Sequence, residues 1–445
     1  MKKTNFITEI FTLCLPVAGQ LLLSSLVSML DNVMIGQMGE VNISAVSIAT
    51  TYTWLVSVFV YGCVKGAAII GAQKYGRNEI KTINKLLSFV ILFGTFASII
   101  FFIITEAFTP EIMKIYSTFD DVIEPGVKYL NIAKYSYIPN GIAYAIICML
   151  QTVKSVKIGM ISSIASCTTN VIFNYLLIQG NLGFPALGIE GASIATLIAR
   201  IVECLTVIIY LLFFDKKLNF KIKDFDPRVS KDDLEQLIFI SIPLLLTDVL
   251  ENLTSSAQTM ITGRLSEYYL SANSIVHTCW NLPSVFCFGA GTAAAIMIGN
   301  SLGRKDYDKA KKDAKRLVIT AFVIGAFCSI MVKILVPIVS SFYSVSEQTL
   351  QLAYKMGNMA CINVIFISCD CIIANGILKA TGATKRILTV TLIGKWLFAT
   401  PLGYIGAFYL NWPAEIIYFV LRSGNIVITI WALAVLAKGE WMATI

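Results

Sequence analysis

Twelve long apolar runs are the feature that most constrains how this chain folds. Each is long enough to cross a bilayer as a helix, for which about 20 apolar residues suffice. The composition agrees, since 56% of the 445 residues are hydrophobic, only 14% are charged, and the mean hydropathy is +0.75. The runs are continuous rather than alternating, so helices are favoured over a closed barrel. The sequence therefore predicts an all-α polytopic membrane protein with helices near 9–35, 44–72, 83–107, 127–151, 158–178, 188–213, 234–262, 271–300, 315–341, 352–378, 387–409 and 413–437.

The basic residues predict the orientation of these helices. Of 35 Lys and Arg residues, 25 lie in the termini and loops of one side and only two, Lys114 and Arg264, in the loops of the other. Basic loops stay cytoplasmic, so both termini and the linker 214–233 are expected there, in a plasma or bacterial inner membrane. The net charge of +8 is explained by this bias, and no nucleic-acid partner is expected.

The cysteines do not indicate a metal site, and the N-terminus does not indicate a cleaved secretion signal. The eleven Cys residues lie mostly inside apolar runs and lack zinc-site spacing, so we expect them to pack as small hydrophobic residues. No small-residue cleavage site follows the basic N-terminus, so the first helix is expected to be retained.

An internal repeat predicts the architecture. At an offset of 227, residues 16–77 align without gaps to 243–304 and match at Pro16 with Pro243, and at Gly76 and Arg77 with Gly303 and Arg304. Each copy holds six helices, an even number, so the repeat is parallel. We expect an N-terminal six-helix lobe at 1–213, a cytoplasmic linker at 214–233 and a C-terminal six-helix lobe at 234–445. Such duplications favour a transporter, because two similar lobes can rock about a central site.

Motifs along nearly the whole chain resemble the multidrug and toxic compound extrusion (MATE) family of cation-coupled antiporters. They are Pro16–Gln20, Asp31–Gly36, Asn170 with Asn174, Gly183–Pro185, Gly191–Ala192, Pro243 with Glu251, Gly303–Arg304 and Gly376–Ala380. The resemblance implies a V-shaped pair of six-helix bundles with a central cavity. It also implies a cation or proton site at Asp31, Asn170 and Asn174 in the N-lobe, with Glu251 as the C-lobe counterpart. Some members have an aspartate where this chain has Asn174, and a cation-liganding acid where it has Ser368.

Asp31 is the strongest candidate for coupling in the N-lobe. Inserting an aspartate well inside a span costs about 3 kcal/mol, so it needs a role or a partner. Asn170 and Asn174 are one helical turn apart, and their amides can bond either the protonated or the ionised acid. The alternative is that Asp31 caps a helix or pairs with a basic side chain.

The C-lobe offers three carboxylates. Asp248 and Glu251 share a helix face, and Asp370 could approach them. Three carboxylates in a low-dielectric region need a cation or shared protons, and a sodium ion at Glu251 or at Asp31 would serve. The alternative is that each pairs with a lysine, the candidates being Lys65, Lys333 and Lys395.

Further residues suggest hinges or ion pairs. Pro16 and Pro243 can kink their helices at equivalent positions of the repeat, as hinges or as static bends. Further buried charges are most simply read as ion pairs or as snorkelling chain ends, the candidates being Lys65, Lys134, Arg200, Glu203 and Lys395. His277 is expected to be a packed polar residue.

The leading hypothesis is a secondary active antiporter that exports cationic or amphipathic organic compounds in exchange for inward Na+ or H+. No GxxxxGK[ST] motif is present, which argues against direct use of ATP, and no HExxH or GxSxG motif points to an enzyme. A flippase for a lipid-linked precursor and a passive channel are the alternatives. The expected partners are small organic cations and the lipid bilayer, with no cofactor besides the coupling ion, and we expect a monomer.

Overall fold

The computed structural model describes residues 5–36, 38, 40–117, 119–265, 267–341 and 346–442, with only the backbone at 32, 33, 36, 40, 267, 270 and 440. The regular structure of these residues is helical throughout, as predicted. The α-helices are α1 Phe6–Gly36, α2 Glu40–Gly76, α3 Ile80–Tyr116, α4 Asp120–Ala133, α5 Tyr137–Thr152, α6 Lys157–Leu177, α7 Gly188–Ile209, α8 Lys231–Gly263, α9 Glu267–Gly303, α10 Tyr307–Ser340, α11 Glu347–Cys369, α12 Thr384–Thr391, α13 Thr400–Phe408, α14 Ala414–Arg422 and α15 Gly424–Lys438.

Eleven helical segments of the described chain are long and apolar enough to cross a membrane. The predicted window at 127–151 is also helical, but the 3₁₀ turn Lys134–Ser136 divides it into α4 and α5. The Lys134 side chain is buried at this break, where its Nζ lies 2.5 Å from Glu106 Oε2 and donates to Asn131 at 3.0 Å. A buried ammonium group needs such partners.

Two further segments depart from α-helical winding. Asp370–Leu378 continues α11 as a π-helix, and Leu392–Ala399 is a π-helix between α12 and α13. π-helical turns are rare and occur often at functional sites, because the extra residue per turn redirects the side chains. Asp370 and Lys395 both lie in these segments, one in each.

The described chain forms two compact units. One comprises residues up to Ala18 together with those from Ile242 onwards, and the other is Gly19–Ser241. The chain therefore passes between units within α1 and within α8, close to Pro16 and Pro243. The lobe boundaries expected from the repeat, 1–213, 214–233 and 234–445, stay a prediction.

Each unit has its own apolar core. In Gly19–Ser241 the core side chains come mostly from α2 to α5 and from α7, and they include Ala45, Tyr52, Met113 and Tyr129. The core of the other unit includes Tyr269, Cys279, Cys287, Cys328 and Met356. All eleven cysteines are free, so their predicted packing as small hydrophobic residues is confirmed for those in this core.

A close approach of α6 and α7 fixes the position of α6. The backbone N–H of Leu187 donates to Leu177 O at 2.8 Å, where α7 begins against the end of α6. A Cβ atom on Gly191 would lie 2.4 Å from that same carbonyl oxygen, so only glycine allows the contact. The junction holds α6, which carries Asn170 and Asn174, against α7.

The linker is tied to the unit Gly19–Ser241. Asp226 lies 3.5 Å from Lys85 Nζ, and Asp233 lies 2.9 Å from Lys74 Nζ. The Arg228 side chain and backbone N–H both donate to Asp226, which lowers the pKa of that carboxyl to about 2. These bonds order the start of α8 before the chain enters the second unit.

Candidate functional site

Asp31 and two buried asparagines form a polar cluster between α1 and α6. The Asn174 side-chain Nδ2 donates to Asp31 Oδ1 at 2.5 Å and to Asn170 Oδ1 at 3.1 Å. Asn170 and Asn174 are almost fully buried, and Asp31 is half-buried. Among the described residues no Lys or Arg lies within ion-pairing distance of Asp31. Its immediate partner is therefore an amide and not a cation.

One oxygen of this cluster has no partner. Asn174 Oδ1 is buried and accepts no hydrogen bond from the described residues. A buried carbonyl oxygen without a donor is costly by about 1–3 kcal/mol. A proton on Asp31 would supply a donor beside it, and a sodium ion would supply a positive charge that carboxylate and amide oxygens bind.

One ion pair and one tyrosine interact electrostatically with Asp31 or its neighbours. Arg200 Nη1 donates to Glu203 Oε2 at 2.7 Å, so these two buried-charge candidates form an ion pair with each other. Arg200 acts on Asp31 electrostatically. Asp31 in turn acts on the buried Tyr129. Sequence reasoning missed Tyr129, because nothing distinguishes it among 18 tyrosines until the fold brings it near α1.

The candidate carboxylate of the C-terminal half has a different partner. Both carboxylate oxygens of Glu251 in α8 accept hydrogen bonds from Lys395 Nζ at 2.5 Å. The Lys395 side chain is 12% exposed and that of Glu251 is 39% exposed. Of the three lysines considered from the sequence, Lys395 is the one that pairs with Glu251, whereas Lys333 donates to Asn358.

Two glycines and a tryptophan position Lys395. A Cβ atom on Gly424 would lie 2.8 Å from Lys395 Cγ and 2.9 Å from the carbonyl oxygen of Gly394. The missing side chain lets α15 pack directly on the lysine stem. Trp396 Nε1 donates to Leu250 O at 3.4 Å, which holds the π-helical segment against α8 next to Glu251.

The other two predicted carboxylates are placed differently. Asp370 is buried, accepts from Asn375 Nδ2 at 3.2 Å, and lies within the electrostatic range of Lys395 and Glu251. Asp248 is half-buried, and its backbone carbonyl accepts from Asn252 at 2.6 Å. The described residues contain no group of three or more His, Cys, Asp or Glu side chains that could hold a metal ion.

A cavity of about 210 Å³ lies beside the Glu251–Lys395 pair. Its walls come from α8, α9, α11, α14, α15 and the segment that carries Lys395, all within one compact unit. Of the three predicted carboxylates, only Glu251 lines it. The other polar or aromatic side chains of its wall include Gln258, His277, Trp280, Asn363, Tyr418, Arg422 and Asn425.

Comparison with known families settles what kind of protein carries these two sites. The family model MatE matches the chain twice, at residues 16–176 and 243–405, and the two matches start 227 residues apart, the offset of the internal repeat. The chain belongs to the MATE family. Members of this family are membrane transporters and not enzymes, as predicted from the sequence.

Curated relatives of this MATE chain are similar over most of their length. The probable multidrug resistance protein YoeA of Bacillus subtilis is 21% identical to this chain. The alignment covers 82% of this chain and 79% of YoeA. The probable multidrug resistance protein NorM of Bacillus anthracis is 24% identical to this chain. The alignment covers 87% of this chain and 85% of NorM. The resemblance to MATE transporters inferred from motifs is thereby confirmed.

Solved structures confirm the fold. The crystal structure of the Vibrio cholerae MATE transporter VcmN in the bent form superimposes with a TM-score of 0.86, at 16% sequence identity, over 97% of this chain and 96% of that one. At this identity the likeness establishes the MATE fold alone. Together with the family match, this makes the chain a multi-pass membrane transporter of the MATE family.

The predicted prolines of this MATE chain lie where it passes between compact units. Pro16 in α1 and Pro243 in α8 are both buried inside their helices. One unit boundary lies just after Pro16, at Ala18, and the other lies just before Pro243, at Ser241. The hinge role stays a prediction, and this location makes it testable.

Proposed function

We propose that this transporter is a secondary antiporter that exports cationic or amphipathic organic compounds in exchange for inward Na+ or H+ by alternating access. The observation that carries this proposal is the Asp31 cluster. A carboxylate sits in a helix apolar enough to span the membrane, its partner is an amide, and a neighbouring amide oxygen lacks a donor. An intramembrane acid of this kind is by default a functional residue.

The chemistry of the cluster suits a change of occupant. An amide can donate to an ionised carboxylate and can accept from a protonated one, so Asn174 serves Asp31 in both states. A sodium ion can be bound by the same carboxylate and amide oxygens. Binding of either cation at Asp31 then favours one arrangement of the transporter and binding of the exported compound favours the other, which couples the two flows.

The C-terminal carboxylates are a second candidate for coupling. Glu251 forms an ion pair with the ammonium group of Lys395, whereas no described Lys or Arg lies within ion-pairing distance of Asp31. Arg200 acts on Asp31 only from a longer distance. The pair therefore favours Asp31 as the coupling residue. A sodium or proton site at Glu251, Asp248 and Asp370 requires Lys395 to be displaced.

The substrate class is inferred by analogy and by charge. The relatives YoeA and NorM are named as probable multidrug resistance proteins. Carboxylates within the spans attract cations. A flippase for a lipid-linked precursor would instead need a cavity dominated by Arg and Lys, but the described cavity also contains Glu251.

The test is transport by the purified protein in liposomes. A fluorescent organic cation is followed under a sodium gradient and, separately, under a proton gradient. We expect one gradient to drive export and Asp31→Asn to lower the driven rate at least about tenfold, because the substitution keeps the shape and removes the charge. The matched control is Asp232→Asn, since Asp232 is exposed in the first turn of α8.

Two results would contradict the proposal. Driven transport that Asp31→Asn leaves intact would exclude Asp31 as the coupling residue. Movement of the cation that follows its own gradient and ignores both imposed gradients would indicate a channel, and absence of driven movement by folded protein would favour a flippase.

A further inference from the structure

The cavity of the C-terminal half contains polar atoms whose hydrogen bonds are not made. Arg422 Nη1, Asn363 Oδ1 and Asn425 Oδ1 are all buried and have no partner among the described residues. All three residues line the same cavity, which the coupling step at Asp31 does not use. One of these atoms is a donor that lacks an acceptor, and two are acceptors that lack donors.

Arg422 is also a charge without a counter-charge. Its Nη2 donates to Asn273 Oδ1 at 3.2 Å, and its guanidinium carbon lies 4.0 Å from the centre of the Tyr418 ring. Among the described residues no carboxylate lies within ion-pairing distance of it, whereas the neighbouring Lys395 is paired with Glu251. Water can complete the hydrogen bonds of a guanidinium, but it cannot neutralise the charge.

The arrangement around Arg422 is rigid enough to recognise a planar anion. Stacking on Tyr418 and the bond to Asn273 fix the plane of the guanidinium, and Nη1 remains free to donate. A carboxylate is the geometric match of such a fork, and the bond is charge-assisted on both sides. The two amide oxygens then require N–H donors on the same guest.

Size and apolar surface narrow the guest further. The cavity volume of about 210 Å³ is below the range of about 300–1,000 Å³ that is usual for drug-sized ligands. Trp280 and Tyr418 contribute aromatic faces to the wall. A small molecule with one aromatic or apolar group fits this space.

We propose that this cavity binds a zwitterionic organic molecule, with its carboxylate on Arg422 and its ammonium group on the amide oxygens of Asn363 and Asn425. The proposal names a substrate class that the charge of Asp31 does not predict. Its role in export rests on the proposed antiport function, but binding itself does not.

Three probes of the same shape separate the two charges. Phenylalanine carries both groups, phenethylamine lacks the carboxylate and 3-phenylpropionate lacks the ammonium. Binding to the full chain in lipid nanodiscs is measured by titration calorimetry. We expect phenylalanine to bind at least about tenfold more tightly than either of the other two, because each charged group adds a charge-assisted hydrogen bond.

Substitutions assign the two ends of the guest. Arg422→Gln should lower the affinity for phenylalanine to that for phenethylamine and leave the affinity for phenethylamine unchanged. Arg422→Lys should bind phenylalanine more tightly than Arg422→Gln does, because it keeps the positive charge. Asn425→Leu should lower the affinity for phenylalanine and for phenethylamine, and it should leave the affinity for 3-phenylpropionate unchanged. Arg264→Gln, an exposed arginine in the same compact unit, is the matched control.

The proposal is overturned if the three probes bind equally, if phenylalanine does not bind at millimolar concentration, or if Arg422→Gln behaves as Arg264→Gln does. Asn425→Leu keeps Arg422 and so tests the site even if Arg422→Gln does not fold. Asp31→Asn should leave phenylalanine binding unchanged. Loss of driven export in that variant with binding retained supports both proposals, and intact export in it with binding retained refutes only the antiport coupling.

Discussion

The two halves of the repeat each place a carboxylate in their first helix, but they give it opposite kinds of partner. Asp31 in α1 accepts from the amide of Asn174, whereas Glu251 in α8 accepts from the ammonium group of Lys395. An amide adapts to a carboxylate or a carboxylic acid at little cost, but an ammonium group favours the ionised state alone. One half is thus suited to exchange its cation, and the other holds a cation that belongs to the chain.

The repeat offset locates this difference in the sequence. At 227 residues, Asp31 aligns with Gln258 and Glu251 aligns with Ser24. The carboxylates are therefore not equivalent positions of the duplication. Glu251 and Gln258 are seven residues apart, which puts them on one face of α8, and both line the C-terminal cavity. Duplication supplied the same helices, and the two halves then placed their charges independently.

The largest expected effect comes from giving Glu251 an amide partner like the one that Asp31 has. Lys395→Gln replaces the ammonium partner of Glu251 with an amide. Removing one member of a buried ion pair costs about 3–5 kcal/mol, and because the Glu251 side chain is 39% exposed we expect the free energy of unfolding to fall by about 2 kcal/mol. In the Asp31→Asn background the loss should be reversed partly by Na+ or by low pH, as measured by thermal unfolding.

Lys311→Gln, an exposed lysine of the same unit, is the control for this experiment. Replacing both members, with Glu251→Leu and Lys395→Leu together, should give a more stable protein than Lys395→Gln alone, since no charge is left unpaired. A Lys395→Gln variant as stable as the wild type would show that the pair does not hold the C-terminal half together.

Removing the amide that bonds Asp31 should lower driven export about tenfold. Asn174→Leu keeps the branched shape of the side chain and removes the bond to Asp31 Oδ1, so Asp31 loses its partner in both protonation states. Driven export of the organic cation in liposomes should fall about tenfold, the equivalent of one hydrogen bond to a charged group. The exposed Asn358→Leu should have little effect, and an equal loss in both variants would remove Asn174 from the coupling site.

The smallest expected effect concerns the two prolines that the repeat makes equivalent. Pro16→Ala and Pro243→Ala each restore a backbone N–H donor inside a helix, which stiffens it where the chain passes between compact units. Export should slow by about threefold, while the unfolding temperature stays the same or rises. Pro110→Ala in α3, where Phe108 has a non-helical φ of −130°, is a kink remote from either crossing and should not slow export.

If only one of the two variants slows export, the halves contribute unequal hinges. If neither does, both prolines are static bends.

Sequence patterns predicted the helices well because membrane insertion depends on local composition. The helical windows needed only a count of apolar residues, and the repeat needed only identical residues at one offset. The division of the fourth window by the turn at Lys134 was not predicted, since it depends on Glu106 from another helix. The partner of Glu251 was one of three candidate lysines until the packing of Gly424 against Lys395 selected it.

By itself, the sequence determined the class of protein, the duplicated architecture, the MATE family and the candidate acids Asp31 and Glu251. Each follows from residues adjacent along the chain or related by a fixed offset. Only the tertiary structure decided which partner each acid has and that Arg422, Asn363 and Asn425 line one cavity. Each of these arrangements includes residues more than fifty positions apart, and the interaction energies depend on distance and burial, which no local pattern contains.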